Sequence, residues 1–164
     1  VVAQANDAGD TPFHIAAAHG HETSLQALRA RTPKISDVNI ANKVRRTPLH
    51  SASASGQLEA VKTLLGMRPK GCWLLSCVSR GRDVINAQDN CGNTPMHLAC
   101  GPNAALIRLA LKEAGAKRSV RNNLGETLVD MEKSWTKFGD AFKDRGGCSI
   151  CFDDSLDRRL CRTP

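Results

Sequence analysis

The sequence contains no tyrosine, and aromatic residues make up only 4% of its 164 residues. A hydrophobic core this poor in aromatic rings must be built from aliphatic side chains, which favours small helices that pack closely together. The chain also lacks an apolar run approaching the roughly 18 residues that indicate a membrane-spanning helix. It shows no secretion signal and begins with Val1. We therefore expect neither a membrane span nor secretion, and we expect that residues precede Val1.

Acidic residues are in the minority, since 23 Lys and Arg stand against 16 Asp and Glu and the net charge is +7. The excess is not gathered into a long basic stripe. Its densest part is residues 67–83, which contain four basic residues and one acidic residue. Because nucleic-acid-binding surfaces concentrate their basic residues on one face, this distribution disfavours nucleic-acid binding.

The seven cysteines are an odd number at irregular positions, in a chain without a secretion signal. This usage favours a reducing compartment, where thiols are buried, free or bound to metal. The sequence therefore predicts an intracellular protein, located in the cytoplasm or the nucleus.

A four-residue motif, T-P-x-H, occurs at residues 11–14, 47–50 and 94–97, and a fainter copy begins at Thr127. The four threonines are 36, 47 and 33 residues apart. Thr followed by Pro favours a helix start, because the Thr side chain caps free N–H groups and Pro is preset for the first turn. Small residues and then glycine follow, and a second amphipathic helix comes next. No such unit can bury its apolar face alone, so the units must stack.

This pattern resembles the ankyrin repeat, whose period is near 33 residues. The resemblance implies an all-α solenoid of helix-turn-helix repeats with β-hairpin loops, in about four units. The expected units are residues 1–36, 37–82, 83–116 and 117–133. Residues 1–7 align with residues 84–90. We therefore expect the chain to begin inside a repeat unit, with further repeats upstream.

Three departures from the repeat pattern predict local changes. Arg45 occupies the place of a turn glycine, so we expect a turn that tolerates a positive φ poorly or a turn of another type. In the third unit, residues 101–103 replace the usual loop before the second helix, which predicts a remodelled loop. In the fourth unit, Leu128 and Asp130 replace Pro and His, which is typical of a more polar terminal repeat.

The histidines of the motif, His14, His50 and His97, would fall in a row along a stacked array. A row of histidines suggests a metal site. Their shared repeat position favours another interpretation, in which each histidine hydrogen-bonds within its own turn and to the next one.

An insertion at residues 67–82 lengthens the second unit by about fourteen residues over the standard period. It places Trp73 among several basic residues. Insertions in repeat arrays map to loops on one face, so Trp73 is a candidate anchor for a partner. The alternative is that Trp73 folds back and covers the end of the lengthened helix.

Residues 134–145 place Trp135, Phe138 and Phe142 at helical spacing. This pattern predicts an amphipathic helix with one aromatic stripe. Because a stack of repeats leaves an exposed end, we expect this helix to cap the array.

The tail, residues 146–164, contains the close pair Cys148 and Cys151, followed by Cys161. A C-x2-C turn supplies two corners of a tetrahedral zinc site, and this one resembles the start of a RING finger. The resemblance implies zinc as cofactor, Cys148 and Cys151 as ligands, and Ile150 as a contact for a ubiquitin-conjugating enzyme. Cys161 is either the third ligand or part of the strand that precedes the third ligand, which would then follow Pro164. Two or three thiolates do not close a zinc site, so the motif would have to continue beyond Pro164. Another zinc module or an accidental pair remain the alternatives.

In ankyrin proteins the variable positions of the turns and first helices contact the partner. Carried over to this sequence, the resemblance implies partner contacts from Asp7, Asp10, His19, Lys43, Arg45, Arg46, Asn90, Asn93, Leu124 and Glu126. The basic group Lys43, Arg45 and Arg46 favours an acidic partner.

These observations predict a non-catalytic module that recruits a partner protein. A finer hypothesis makes the chain the substrate-recognition part of a RING-type ubiquitin ligase, with the fragment itself inactive. The alternatives are a plain ankyrin scaffold or regulatory protein without a ubiquitin link and, less favoured, a binder of nucleic acid or other anions through the basic insertion. No Ser/His/Asp triad, phosphate loop or pair of carboxylates emerges that would predict catalysis by this chain.

Overall fold

The computed structural model describes residues 4–32, 40–67 and 84–138, and for residues 134–138 it describes the backbone alone. Across these ranges the regular secondary structure is helical, and no residue in them is assigned to a strand. The predicted roles of the insertion around Trp73, of the cap from residue 139 onward and of the tail lie outside the described residues.

Seven α-helices fall within the described ranges, arranged as successive pairs with one further helix at the end. They are α1 (Pro12–Ala18), α2 (Glu22–Arg31), α3 (Pro48–Ala54), α4 (Leu58–Gly66), α5 (Pro95–Leu98), α6 (Ala104–Glu113) and α7 (Leu128–Phe138). The first helix of each pair begins directly after the threonine of T-P-x-H, as the sequence predicts.

A capping box built from threonine and histidine starts the first helix of each pair. Thr11 has an extended backbone, its side chain accepts the N–H of His14, and its own N–H donates to His14 Nδ1 at 3.1 Å. Thr47 with His50 and Thr94 with His97 repeat this arrangement. Histidine thus does what glutamate or glutamine does in the usual capping box, because an unprotonated ring nitrogen accepts the same N–H.

The helices form two rows, because each pair packs on the pair before it. The first helices make one row, in which α1 contacts α3, α3 contacts α5 and α5 contacts α7. The second helices make the other row, in which α2 contacts α4 and α4 contacts α6. This stacked arrangement of helix pairs is the all-α solenoid that the sequence predicts.

The core lies between the two rows and is mostly aliphatic. Its residues with at most 2% exposure include Phe13, Ala17, Leu25, Ala52, Ala60, Val61, Ile85, Met96, Ala99, Ile107, Leu111 and Leu128. The alanines allow close approach of neighbouring helices, and each large side chain that is fully buried contributes roughly 2 kcal/mol through removal from water. Because most of these contacts join different units, the array is stabilised as a whole.

The third unit has the remodelled loop that its sequence predicts. Helix α5 is only four residues long, since Ala99 leaves the helical conformation with φ −62° and ψ 107°. The loop is tied to the second unit, because Cys100 Sγ donates to the Ala54 carbonyl at 2.8 Å and Asn103 Nδ2 donates to the Gly56 carbonyl at 3.2 Å.

The fourth unit keeps the helix start although it lacks Pro and His. Asp130 Oδ2 accepts the Thr127 N–H at 3.0 Å and the Thr127 hydroxyl at 2.7 Å. These hydrogen bonds lower the pKa of Asp130. Helix α7 is also held by Glu132, whose carboxylate lies 3.2 Å from Arg108 and 3.5 Å from Arg118.

Glycines in the left-handed region close the turns before three of the four first helices, at Gly9, Gly92 and Gly125 with φ of 81°, 75° and 77°. A Cβ added at Gly92 would meet the backbone nitrogen of Asn123 at 2.6 Å, whereas one added at Gly125 would meet no atom within 4 Å. Gly92 therefore carries a packing constraint in addition to its backbone conformation.

We predict that Gly92→Ala destabilises the protein more than Gly125→Ala does. The strain of a left-handed alanine, about 1 kcal/mol, applies to both variants. Only Gly92→Ala also pushes the fourth turn away, for a total of roughly 3 kcal/mol. Free energies of unfolding from urea titration would check this, and equal losses in the two variants would contradict it.

Candidate functional site

The four turns that precede the first helices share one hydrogen-bonding pattern. In the second turn, Asn42 Oδ1 accepts the N–H groups of Val44 and Arg46 at 3.1 and 2.8 Å. The Asn42 N–H donates to the Arg46 carbonyl, and the Asn42 carbonyl accepts the Arg45 N–H, both at 2.9 Å. Asn6, Asp89 and Asn122 repeat this pattern in the other turns.

The role of the first residue of each turn was not predicted from the sequence. An Asn or Asp stands five residues before each of Thr11, Thr47, Thr94 and Thr127, at positions 6, 42, 89 and 122. The fixed spacing was the available signal, because Asn and Asp side chains characteristically accept backbone N–H groups two residues later and so organise turns.

Arg45 adopts the conformation that glycine adopts in the other three turns. Its φ is 61°, and it makes the same N–H bond to the first residue of the turn. The expectation that Arg45 imposes a turn of another type is therefore wrong. The turn is retained, and a non-glycine residue in this region costs about 1 to 2 kcal/mol of backbone strain.

Backbone hydrogen bonds join each turn to the next. Lys43 N–H donates to the Ala8 carbonyl at 3.1 Å, and Asn90 N–H donates to the Val44 carbonyl at 3.0 Å. The third link is Asn123 N–H to the Cys91 carbonyl, also 3.0 Å. We call the joined turns, residues 6–10, 42–46, 89–93 and 122–126, the hairpin ridge.

Side chains on the inner side of the ridge reinforce these links. Asn42 Nδ2 donates to Asp10 Oδ1 at 2.7 Å, and Arg46 Nε donates to Asp89 Oδ2 at 3.3 Å. Asn122 Nδ2 lies 3.4 Å from Asn93 Oδ1.

Four of the residues expected to contact a partner therefore already make hydrogen bonds within the ridge. Asp10, Arg46, Asn93 and Glu126 are half-buried. Glu126 Oε2 accepts Asn122 Nδ2 at 3.3 Å, and the other three take part in the links between turns. These side chains help to hold successive turns in register.

The other ridge residues that the sequence predicts to contact a partner lie at the tips and are exposed. They are Asp7, Lys43, Arg45, Asn90 and Leu124. Val44 and Leu124 add apolar surface at equivalent places in the second and fourth turns, with 40% and 52% exposure. His19 is exposed at the far end of α1, where its ring lies 5.8 Å from that of His21.

The motif histidines connect the helix starts to the ridge. Because Nδ1 accepts the threonine N–H, the proton of the neutral ring is on Nε2. His14 Nε2 donates to the Arg46 carbonyl at 2.9 Å, and His50 Nε2 donates to the Asn93 carbonyl at 3.1 Å. His97 Nε2 is buried without a hydrogen-bond partner among the described residues. The predicted bonds within and between turns are confirmed for the first two histidines.

Burial favours the neutral form of all three histidines. It lowers the pKa of His50 to about 4, against the opposing effect of the Asn93 carbonyl. Burial also lowers the pKa of His14 and His97, and nearby backbone carbonyls, that of Arg46 and those of Val120 and Glu126, partly offset this effect.

Within residues 4–32, 40–67 and 84–138, no cluster of three or more His, Cys, Asp or Glu side chains is arranged to hold a metal ion. No helix in this part of the chain has the length and apolar character needed to cross a membrane. The remaining candidate residues lie outside the described part, namely Trp73, Cys148, Ile150, Cys151 and Cys161.

Comparison with protein families agrees with this architecture. A model of ankyrin repeats in three copies matches residues 2–72, and a model of ankyrin repeats in many copies matches residues 49–102. The chain contains ankyrin repeats. Ankyrin repeats are protein-interaction modules, so the ankyrin hairpin ridge is the first surface to consider for a partner.

The curated relatives share the repeats with this chain. NF-kappa-B inhibitor alpha from Gallus gallus is 33% identical over 98 residues, which are 59% of this chain and 26% of that protein. The Homo sapiens protein of the same name is 31% identical over the same shares. A transient receptor potential cation channel subfamily A member 1 homolog from Caenorhabditis elegans is 28% identical over 74% of this chain and 9% of its own length. This chain thus spans about a quarter or less of these relatives.

We predict that His50 makes stability depend on pH below neutrality. An unfolded chain protonates its histidine near pH 6.5, whereas folded His50 stays neutral until about pH 4. The stabilisation that neutral His50 contributes is therefore complete above pH 6.5 and is lost as the pH falls toward 4. Between pH 7 and pH 5 the free energy of unfolding should decrease by about 2 kcal/mol through His50 alone.

Urea titrations of the wild type and His50→Gln over this interval would test the prediction. The variant should lose less stability on acidification than the wild type, whatever its stability at pH 7. His21→Gln, which replaces an exposed histidine, is the control and should follow the wild type. An identical pH dependence in His50→Gln and the wild type would show that His50 is not responsible.

Proposed function

We propose that this ankyrin array is a non-catalytic module that binds an acidic segment of a partner protein along the hairpin ridge. The observation that carries the proposal is the chain of backbone hydrogen bonds between successive turns, from Lys43 to Ala8 and onward. A surface held in this way loses little conformational entropy on binding, which favours affinity.

The distribution of charge along the ridge supports an acidic partner. The second turn presents exposed Lys43 and Arg45, and the first turn presents exposed Asp7. The tips of the third and fourth turns carry uncharged Asn90 and Leu124. A partner with an acidic group opposite the second turn therefore gains attraction there, and its charge would be repelled at the first turn.

Apolar side chains next to the ridge provide further contact area. Ile15 on α1 and Val129 on α7, both on first helices, are 47% and 38% exposed. Exposed apolar residues beside polar tips are typical of protein-binding surfaces, since desolvated apolar contacts supply affinity while the polar rim sets specificity.

The relatives support a regulatory role. Two of them are named as inhibitors of NF-kappa-B, so their names describe proteins that act on another protein. We extend to this chain only the general role of a regulatory scaffold that binds a protein partner, because the match covers 26% of each inhibitor.

For the tail we propose a second role, as the start of a RING finger that makes the array the substrate-recognition part of a ubiquitin ligase. The supporting observation is the spacing of Cys148, Cys151 and Cys161 in the sequence. Thiolates are good zinc ligands, but a closed tetrahedral site needs four ligands, so at least one more must lie elsewhere. Ile150 would then contact the ubiquitin-conjugating enzyme.

Site-specific photo-crosslinking would test the interaction surface. A photoreactive residue placed at Asn90, at a ridge tip, should crosslink to one defined partner in cells. The same residue placed at Lys112, on the exposed side of α6, should not. The charge-reversing pair Lys43→Glu and Arg45→Glu should abolish the Asn90 crosslink. Equal crosslinking from Lys112, or persistence of the Asn90 crosslink in the reversed variant, would contradict the proposed surface.

Sequencing the transcript past Pro164 would test the tail. We expect a Cys-Gly-His continuation and further paired cysteines, and the extended protein should bind zinc in a manner that Cys148→Ser and Cys151→Ser reduce. A stop codon, or a continuation without zinc ligands, would leave a scaffold with no ubiquitin link.

A further inference from the structure

Arg45 is the sole non-glycine residue with a positive φ in the part of the chain that the structure describes. Glycine occupies the equivalent place in the other three turns, at Gly9, Gly92 and Gly125. The same turn therefore forms without an arginine, and a glycine would adopt this conformation at a lower energy. Folding alone does not account for an arginine here, and strained residues of this kind concentrate at functional sites.

The Arg45 side chain does not contribute to the hydrogen bonds that hold its turn. Those bonds come from the backbone and from Asn42 Oδ1. The Arg45 guanidinium is exposed and makes no hydrogen bond or ion pair with the described residues. Arg46, next in the sequence, differs in both respects, because it is half-buried and paired with Asp89 at 3.3 Å.

We infer that Arg45 is the specificity-determining residue of the ridge and pairs with a carboxylate of the bound acidic segment. The inference rests on the proposed function and adds which residue selects the partner. A guanidinium presents paired N–H donors that match the two oxygens of a carboxylate. Lys43, two residues earlier and also exposed, adds a second positive charge at the same turn.

Because the neighbouring turns carry different charges, this contact fixes the register of the partner on the ridge. Asp7 at the first turn repels a carboxylate, and Asn90 at the third turn offers no charge to it. A carboxylate on the partner is thus attracted at one of these three tips only. Attraction at one place and repulsion beside it set the alignment of a partner more sharply than attraction alone.

Arg45→Gly tests this inference cleanly because it installs the residue that the other turns use. The variant should fold with a thermal midpoint at or above that of the wild type. Its affinity for an acidic probe, a fluorescent peptide of alternating glutamate and serine, should fall about tenfold by fluorescence anisotropy. Arg45→Lys retains a charge but not the paired donors, so its affinity should lie between those of the wild type and Arg45→Gly.

Lys112→Gln is the matched control, since it removes one exposed positive charge outside the ridge. Its affinity should stay within about twofold of the wild type. The inference is overturned if Arg45→Gly binds the peptide as tightly as the wild type, or if Lys112→Gln loses as much affinity. It is also overturned if the wild type does not prefer this peptide to one with glutamine in place of glutamate. The first two of these results leave the proposed function standing, whereas the third would also count against its acidic partner. The crosslinks from Asn90 test the binding surface separately.

Discussion

The structure depends on one repeated polar link, in which a histidine joins the start of its own helix to the turn of the next unit. His50 accepts the Thr47 N–H through Nδ1 and donates to the Asn93 carbonyl through Nε2. Only the neutral ring can do both, because it offers one acceptor and one donor. The same bond therefore caps a helix and spaces two units, so local and tertiary structure are set by a single side chain.

This link has consequences for the surface. Once the histidines and the first residues of the turns hold the units together, the tips are free to vary without loss of the fold. Arg45 illustrates the point, because the turn around it is complete in its backbone bonds and in those of Asn42. A charge at a tip therefore changes what the array binds more than how it folds, whereas a change at His50 or Asn42 would affect both.

The fold was predictable from the sequence because a short local motif stands at the start of the first helix in most repeats. The Thr-Pro pair and the buried apolar pattern are local, so α1, α3 and α5 begin where the motif predicts. The candidate site was predictable in part. The exposed tips Lys43, Arg45 and Leu124 lie on the ridge as expected. The roles of Asp10, Arg46 and Asn93 in linking turns were not foreseen, because those bonds join residues about thirty or more positions apart.

The sequence by itself determined the repeat, the helix starts and the stacking of units, since these follow from short-range capping and from apolar faces that no unit can bury alone. Only the tertiary structure decided which polar residues are engaged and which are available. Arg45 and Arg46 are adjacent and chemically identical, yet one is exposed and the other is paired with Asp89. The physical reason is that an ion pair depends on the position of the next turn in space, which no local pattern encodes.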